Sequence, residues 1–176
     1  MLSEHLDALF RTALRLCQGH EADAEDLLQD TALRAFNSYG QLREPSAARS
    51  WLFTILSRTH LNRVRTRQRR PDMVGADLDE PAFEAALADW APLPSPADHV
   101  ETRQLGEHLT RALDGLPPEL RGVILLVDVE GFMQREVAGM LGIPEGTVAS
   151  RLFRARRQLR TALETPARDA QLWRHQ

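Results

Sequence analysis

The amino-acid sequence predicts an all-α fold of two small helical domains joined by an acidic, Pro-rich linker, the second domain ending in a helix-turn-helix. Apolar residues recur at helical spacing on both sides of the linker, whereas no segment shows the alternation of a β-strand. Five of the ten prolines fall between residues 71 and 96. The stretch QREVAGMLGIPEGTVASRLFRARRQLR, residues 134–160, has two helical patterns separated by a glycine turn.

Three helices are expected in the first domain, residues 1–70. The first spans residues 2–17 and ends at Gly19, and the second runs from a cap at Asp23 to about Asn37. The third helix is expected from about Ser46 to Arg69, so its first residues overlap the end of the predicted loop 38–49. The expected buried positions are Leu2, Leu6, Leu9, Ala13, Leu16, Leu27, Leu28, Thr31, Ala35, Phe36, Trp51, Leu52, Ile55, Leu56 and Thr59.

The linker is predicted to span residues 71–100, the second domain 101–164 and a frayed tail 165–176. Helical pattern resumes near Ala97 and runs to Leu113, and a second helix covers 118–129. The helix-turn-helix then buries Val137, Met140, Leu141, Val148 and Leu152, with Gly142 as the turn and Pro144 opening its second helix. Because each module is close to the size at which a core is marginal, we expect partner binding to order their relative placement.

The formal net charge of −3 conceals segregated charges. Six Arg and no acid lie between Arg58 and Arg70, and five Arg and no acid lie between Arg151 and Arg160. Between them, residues 72–101 hold eight acids and no Arg. Two basic blocks around an acidic one indicate two polyanion-binding modules joined by a connector that DNA repels.

The second helix of the helix-turn-helix is expected to turn Ser150, Arg151, Arg154 and Arg157 away from its buried face. A helix fits the DNA major groove, and Arg can bind guanine edges or phosphates. The alternative is a solvated Arg-rich face on an ordinary surface helix. The preceding glycine turn and the lack of acids favour DNA binding.

Catalytic and metal constellations are not found in the sequence. Cys17 is the one cysteine, and the six His are scattered without ligand spacing. We therefore expect no enzyme activity, no metal and no cofactor. The N-terminus lacks a signal-peptide pattern and no apolar run approaches membrane-spanning length, so we expect a cytoplasmic protein without direct membrane insertion.

Four segments together resemble the bacterial extracytoplasmic-function (ECF) sigma factors, the two-domain type of the sigma-70 family. They are DAEDLLQDTALRAF (23–36), RSWLFTILSRTHLNRVR (49–65), LPPELRGVILLVDVEGF (116–132) and the helix-turn-helix. The resemblance implies a protein that binds core RNA polymerase through the β′ clamp helices and the β flap, and promoter DNA at −35 and −10 elements. It also implies an anti-sigma factor as partner and no active site.

The resemblance assigns the clamp contact to Asp26, Gln29 and Asp30. Asp26 and Asp30 are four residues apart, so both carboxylates lie on one helix face. Compensation of the helix dipole is the alternative explanation for acids here, and it suits Asp23 and Glu25 better than Asp30.

Contacts with the −10 element fall, by the resemblance, on the loop 38–49 and the third helix. Trp51 matches an aromatic near the melting site, although core packing explains it as well. Many relatives have Asn where this chain has Arg58. The implied −10 set is Trp51, Arg58, Asn62, Arg63, Arg65 and Arg67.

Contacts with the −35 element fall on the second helix of the helix-turn-helix. Thr147 lies at its N-terminus, where N–H groups suit a phosphate, and Phe153 fits a core position equally well. Relatives usually have Lys or Arg where this chain has Ala149. The implied −35 set is Thr147, Ser150, Arg151, Phe153 and Arg154.

Two other functions compete with that of a sigma factor. A LuxR-like helix-turn-helix transcriptional regulator would explain residues 116–160 but leaves 23–70 without a role. An enzyme has no constellation to support it. The acidic linker either mimics RNA in the polymerase exit channel or is a solvated spacer.

Overall fold

The computed structural model describes residues 2–42, 44–67 and 101–172, and every regular element in these ranges is helical. The helices are α1 (Leu2–Leu16), α2 (Glu21–Asn37), α3 (Ala48–Arg67), α4 (Glu101–Asp114), α5 (Pro118–Ile124), α6 (Gln134–Leu141) and α7 (Glu145–Leu172). A π-helical turn, Leu125–Val129, continues α5. The all-α prediction is confirmed. The predicted linker, residues 71–100, and Trp173 lie outside the described residues.

Helices α1 and α2 pack along the predicted apolar stripes, with two exceptions. Leu9 and Leu27 are fully buried. Leu6 was predicted to be buried but is 41% exposed, and Phe36 was predicted to be buried but is 82% exposed. On α2 the buried stripe consists of Ala24, Leu27, Thr31 and Ala35. Because Phe36 is rotated about 100° from its neighbour on that stripe, it points outward.

Helix α3 is buried on two adjacent faces. Leu52, Leu56 and Thr59 form the predicted face, and Phe53, Ser57 and His60 form a second one. The helix begins at Ala48 rather than Ser46, because Pro45–Ala47 form a short 3-10 turn. Two buried faces make α3 the central helix of the fold.

The second half folds around the helix-turn-helix as predicted. Val137, Val148 and Leu152 are buried, and Gly142 has a φ of 68°, a backbone angle that glycine adopts without strain. Pro144 precedes α7 instead of opening it, and its carbonyl accepts the N–H groups of Thr147 and Val148. Helix α7 continues to Leu172, through most of the predicted tail.

The two halves pack directly against each other, although we expected a partner to order them. Their buried apolar side chains form one cluster that includes Phe53 and Phe132, whose ring centroids are 5.3 Å apart. Arg121, 3% exposed, donates to the carbonyls of Leu16 on α1 and of Leu113, Asp114 and Leu116 around the end of α4. None of the described helices has the length and apolar composition needed to cross a bilayer.

Candidate polymerase and nucleic-acid interfaces

One side of α2 combines acidic and apolar groups that face solvent. Asp26 and Gln29 are exposed, and so are Leu33 (63%) and Phe36 (82%). These four residues, spaced at three and four, form what we call the α2 outer face. Large apolar side chains exposed together with charges are typical of a protein–protein contact.

Sequence reasoning identified the polar part of this face and missed its apolar part. The sequence does carry a signal for these exposed apolar residues, because α2 has more apolar residues than one buried stripe can hold. Leu33 and Phe36 are the surplus, and they lie on the side where the acids point.

Asp30 differs from Asp26 and Gln29 because it is tied to α3. Arg63 Nη2 donates to Asp30 Oδ2 at 2.6 Å and to the Asp26 carbonyl at 3.0 Å. A second pair, Arg67 and Asp23, joins the same two helices at 3.0 Å. The hydrogen bond and the positive charge from Arg67 lower the pKa of the Asp23 carboxyl. Asp30 of the assigned clamp set and Arg63 and Arg67 of the assigned −10 set thus belong to one ion-pair ladder between α2 and α3.

The assigned −10 residues lie in four different settings. Asn62 and Arg65 are exposed, and Trp51 is half-buried against the core. Arg63 and Arg67 turn toward α2. Arg58 reaches across to the second half, where its Nε donates to the Met140 carbonyl at 2.7 Å.

The assigned −35 residues lie on α7 around its buried face. Thr147, Arg151, Phe153 and Arg154 are half-buried. Ser150 was expected to turn to an outer face, but it is 7% exposed. Its small side chain folds back on the helix, where the hydroxyl donates to the Thr147 carbonyl at 3.1 Å.

Two buried basic groups lie at the seam between the halves. Burial, followed by the charges of Arg121 and two Arg of α3, lowers the pKa of His60 to about 4. Burial also lowers the pKa of Arg121. Within the described ranges His60 Nε2 has no hydrogen-bond partner. His60 is therefore neutral at physiological pH.

The structure combines a helix-turn-helix with a helical module that precedes it in the chain. The protein-family model for sigma-70 region 2 matches residues 1–70 of the sequence, and the family model for sigma-70 region 4 matches residues 107–159. The chain is 38% identical over 164 residues to the ECF sigma factor SigE of Mycolicibacterium smegmatis. This match covers 93% of the chain and 60% of SigE, so the chain spans less than two thirds of that relative.

Two further likenesses agree with this. SigM, an ECF sigma factor of Mycobacterium tuberculosis, is 35% identical over 159 residues, which cover 90% of this chain and 73% of SigM. The sigma factor RpoE of Bartonella quintana, solved in complex with the anti-sigma factor NepR, superimposes with a TM-score of 0.66 at 27% identity. That match covers 93% of this chain and 94% of RpoE. The protein belongs to the ECF sigma factors of the sigma-70 family.

Proposed function

We propose that this protein binds core RNA polymerase and directs it to initiate transcription at promoters that carry a −35 and a −10 element. The observation that carries the proposal is the occurrence of region 2 and region 4 on one chain. Such a protein acts in the cytoplasm by binding alone and carries out no chemical reaction. A LuxR-like regulator is not favoured, because it has no use for region 2.

The α2 outer face is the proposed site for the β′ clamp helices. Asp26 and Gln29 offer acceptors to basic and amide groups of the polymerase. Leu33 and Phe36 supply apolar area, and an exposed aromatic is the side chain that most often anchors an interface. Asp30 can join this contact only if its ion pair with Arg63 breaks and a polymerase group takes the place of Arg63.

The −35 site is proposed on α7, with the β flap contacting the same domain. Thr147, Arg151 and Arg154 are separated by four and then three residues, so they share one helix face. The buried Val148 and Leu152 lie on a different face. Ser150 is assigned a supporting role on that helix, and Phe153 packs beside the face. Arg side chains there would bind guanine edges or phosphates.

The −10 site is proposed on α3 and the loop before it. Asn62 and Arg65 are the exposed groups best placed to contact the non-template strand. Trp51 keeps a partly exposed surface on which an unpaired base can stack. Arg63 and Arg67 add positive potential from their places in the ladder with α2.

An anti-sigma factor is the third proposed partner, after core polymerase and promoter DNA. The structural relative RpoE was solved in complex with the anti-sigma factor NepR. A protein inhibitor of this kind would compete with polymerase for the surfaces described above.

Run-off transcription with purified core polymerase tests the function. The full-length protein should confer promoter-specific initiation on a promoter library that core polymerase transcribes only nonspecifically. Phe36→Ser should weaken binding to core about thirtyfold, the effect of losing an interface anchor worth about 2 kcal/mol. Leu6→Ser, which also removes an exposed apolar group, is the matched control and should bind as wild type. No promoter-specific transcript from the wild-type protein would refute the function, and equal binding by both variants would refute the α2 assignment.

A further inference from the structure

A cleft of about 610 Å³ lies where the end of α1 and the start of α2 meet α3 and the turn before α5. Cys17, His60 and Arg121 line it, together with Arg63 and Arg67 of α3. Its volume falls within the range of about 300–1,000 Å³ that is usual for small-molecule sites. The proposed clamp and −35 contacts use exposed helix faces and leave this cleft without a role.

We propose that the cleft binds a small organic anion, a phosphate monoester with a compact apolar body. The phosphate binds the guanidinium groups of Arg63 and Arg67, and the apolar body covers the apolar part of the lining. His60 supplies a further hydrogen bond. The binding itself needs neither polymerase nor promoter, so it does not rest on the proposed function.

The guanidinium groups give the site its positive charge. Arg63, Arg67 and Arg121 outnumber the two carboxylates of the lining, Asp23 and Asp114. With the histidines counted as neutral, the lining keeps a net positive charge. An anion is therefore the ligand that this charge favours.

Both arginines of α3 keep donors that the protein does not use. Within the described ranges Arg63 donates only through Nη2, to Asp26 and Asp30, and Arg67 only through Nη1 and Nη2, to Asp23. A guanidinium has five N–H donors, so the Nε–H of each remains for another acceptor. A phosphate can thus bind without breaking either ion pair, and Arg suits it because its planar fork makes parallel hydrogen bonds.

His60 adds a polar atom that the fold leaves without a partner. Its side chain lines the cleft and is 7% exposed, and among the described residues Nε2 has no hydrogen-bond partner. Buried polar atoms in native proteins are nearly always satisfied by protein, water or ligand. Because the ring is neutral, Nε2 can accept from a ligand hydroxyl or donate to the phosphate, according to its tautomer.

The rest of the lining includes an apolar wall. It consists of Leu16, Val64, Leu116, Pro117 and Pro118. Small-molecule sites combine such walls with a few polar groups that fix the orientation of the ligand. An inorganic anion would leave these side chains in water, whereas a compact apolar body would cover them. For this reason we assign an organic rather than an inorganic phosphate.

Occupation of the cleft has a consequence for promoter binding. Arg63 and Arg67 also belong to the proposed −10 set. An anion held by them competes with the phosphates of the −10 strand for the same guanidinium groups. This consequence, unlike the binding, rests on the proposed function.

Cys17 provides a local probe, because it lines the cleft and is the one cysteine of the chain. Mass spectrometry of the full-length protein follows its alkylation by iodoacetamide, with phenyl phosphate as the organic probe and inorganic phosphate as the comparison. At about ten times its Kd, phenyl phosphate should slow alkylation about tenfold, as expected if the bound protein does not react. It should bind about tenfold more tightly than inorganic phosphate, because part of its ring leaves water. In an NMR titration the ring signals of His60 should shift, and those of His5, outside the cleft on α1, should not.

Arg67→Gln should weaken phenyl phosphate binding about tenfold, because a charge-assisted contact is lost. The Arg67 side chain is 68% exposed, so the variant should keep its helicity in circular dichroism. Arg11→Gln removes the same charge from an exposed position of α1 and should bind as wild type. No protection of Cys17 at millimolar phenyl phosphate, equal affinity for the two phosphates, or equal weakening in both variants overturns the proposal. A protein that binds phenyl phosphate as expected but confers no promoter-specific transcription refutes the proposed function and supports the site.

Discussion

Replacing Arg121 by methionine should lower the free energy of unfolding by about 3 kcal/mol. The variant loses the hydrogen bonds of the guanidinium, and this loss is partly offset because the charge no longer has to be buried. Arg121 donates to four carbonyls at 2.7 to 3.0 Å and is 3% exposed. A hydrogen bond from a charged group contributes about 1.5–3 kcal/mol net of desolvation. Four bonds that share one guanidinium do not add in full. Water from the adjacent cleft can reach part of the carbonyls left behind, which lowers the net cost further.

Urea unfolding followed by circular dichroism measures this loss. Arg111→Met, an exposed Arg of α4, is the control and should stay within about 0.5 kcal/mol of wild type. Arg121→Lys should fall between the two, because an ammonium keeps the charge but cannot reach four acceptors at once. A loss below about 1 kcal/mol for Arg121→Met would show that water satisfies the four carbonyls and that the Arg121 hydrogen bonds contribute little to stability.

Two further predictions concern His60 and the helix-turn-helix. His60 has a folded pKa of about 4, below its unfolded value of 6.5, so the unfolded chain binds more protons between these pH values. The free energy of unfolding should therefore fall by about 3 kcal/mol as the pH drops from 6.5 to 4. His60→Leu should reduce this dependence of the unfolding free energy on pH, as measured by urea titrations at several pH values. An unchanged pH dependence in the variant would contradict the burial of a neutral His60. Gly142→Ala should cost about 1 kcal/mol, because φ is 68° there although a Cβ would meet no atom within 4 Å. Gly139→Ala, inside α6, is its control, and equal thermal stability of the two variants would contradict the left-handed turn.

The sequence was sufficient to predict the helices that bury a single stripe. Leu27, Thr31 and Ala35 on α2 follow helical spacing and are buried as expected. The helix-turn-helix was equally readable, because Gly142 has the conformational freedom that its position requires. Periodicity failed at Phe36, where an apolar residue beside the stripe was assigned to the core.

The contacts between the halves could not be predicted. The second buried face of α3 includes Ser57 and His60, residues whose polarity resembles that of a solvated surface. No sequence pattern distinguishes Arg121 from a surface cation. Its carbonyl partners come from Leu16 on α1 and from residues 113–116, two segments that are far apart in the chain. The three-dimensional arrangement of the helix ends determines such partners, and the local pattern of apolar and polar residues does not reveal it. The assigned DNA and polymerase residues stay predictions.

The ion pair between Asp30 and Arg63 has a thermodynamic consequence. If the clamp helices take Asp30, they release Arg63 from α2, and if promoter DNA takes Arg63, it releases Asp30. The two ligands would then be linked: each would raise the affinity of the other by the same factor, as reciprocity of binding free energies requires. A single 2.6 Å contact would thereby make promoter binding sensitive to whether polymerase is already present.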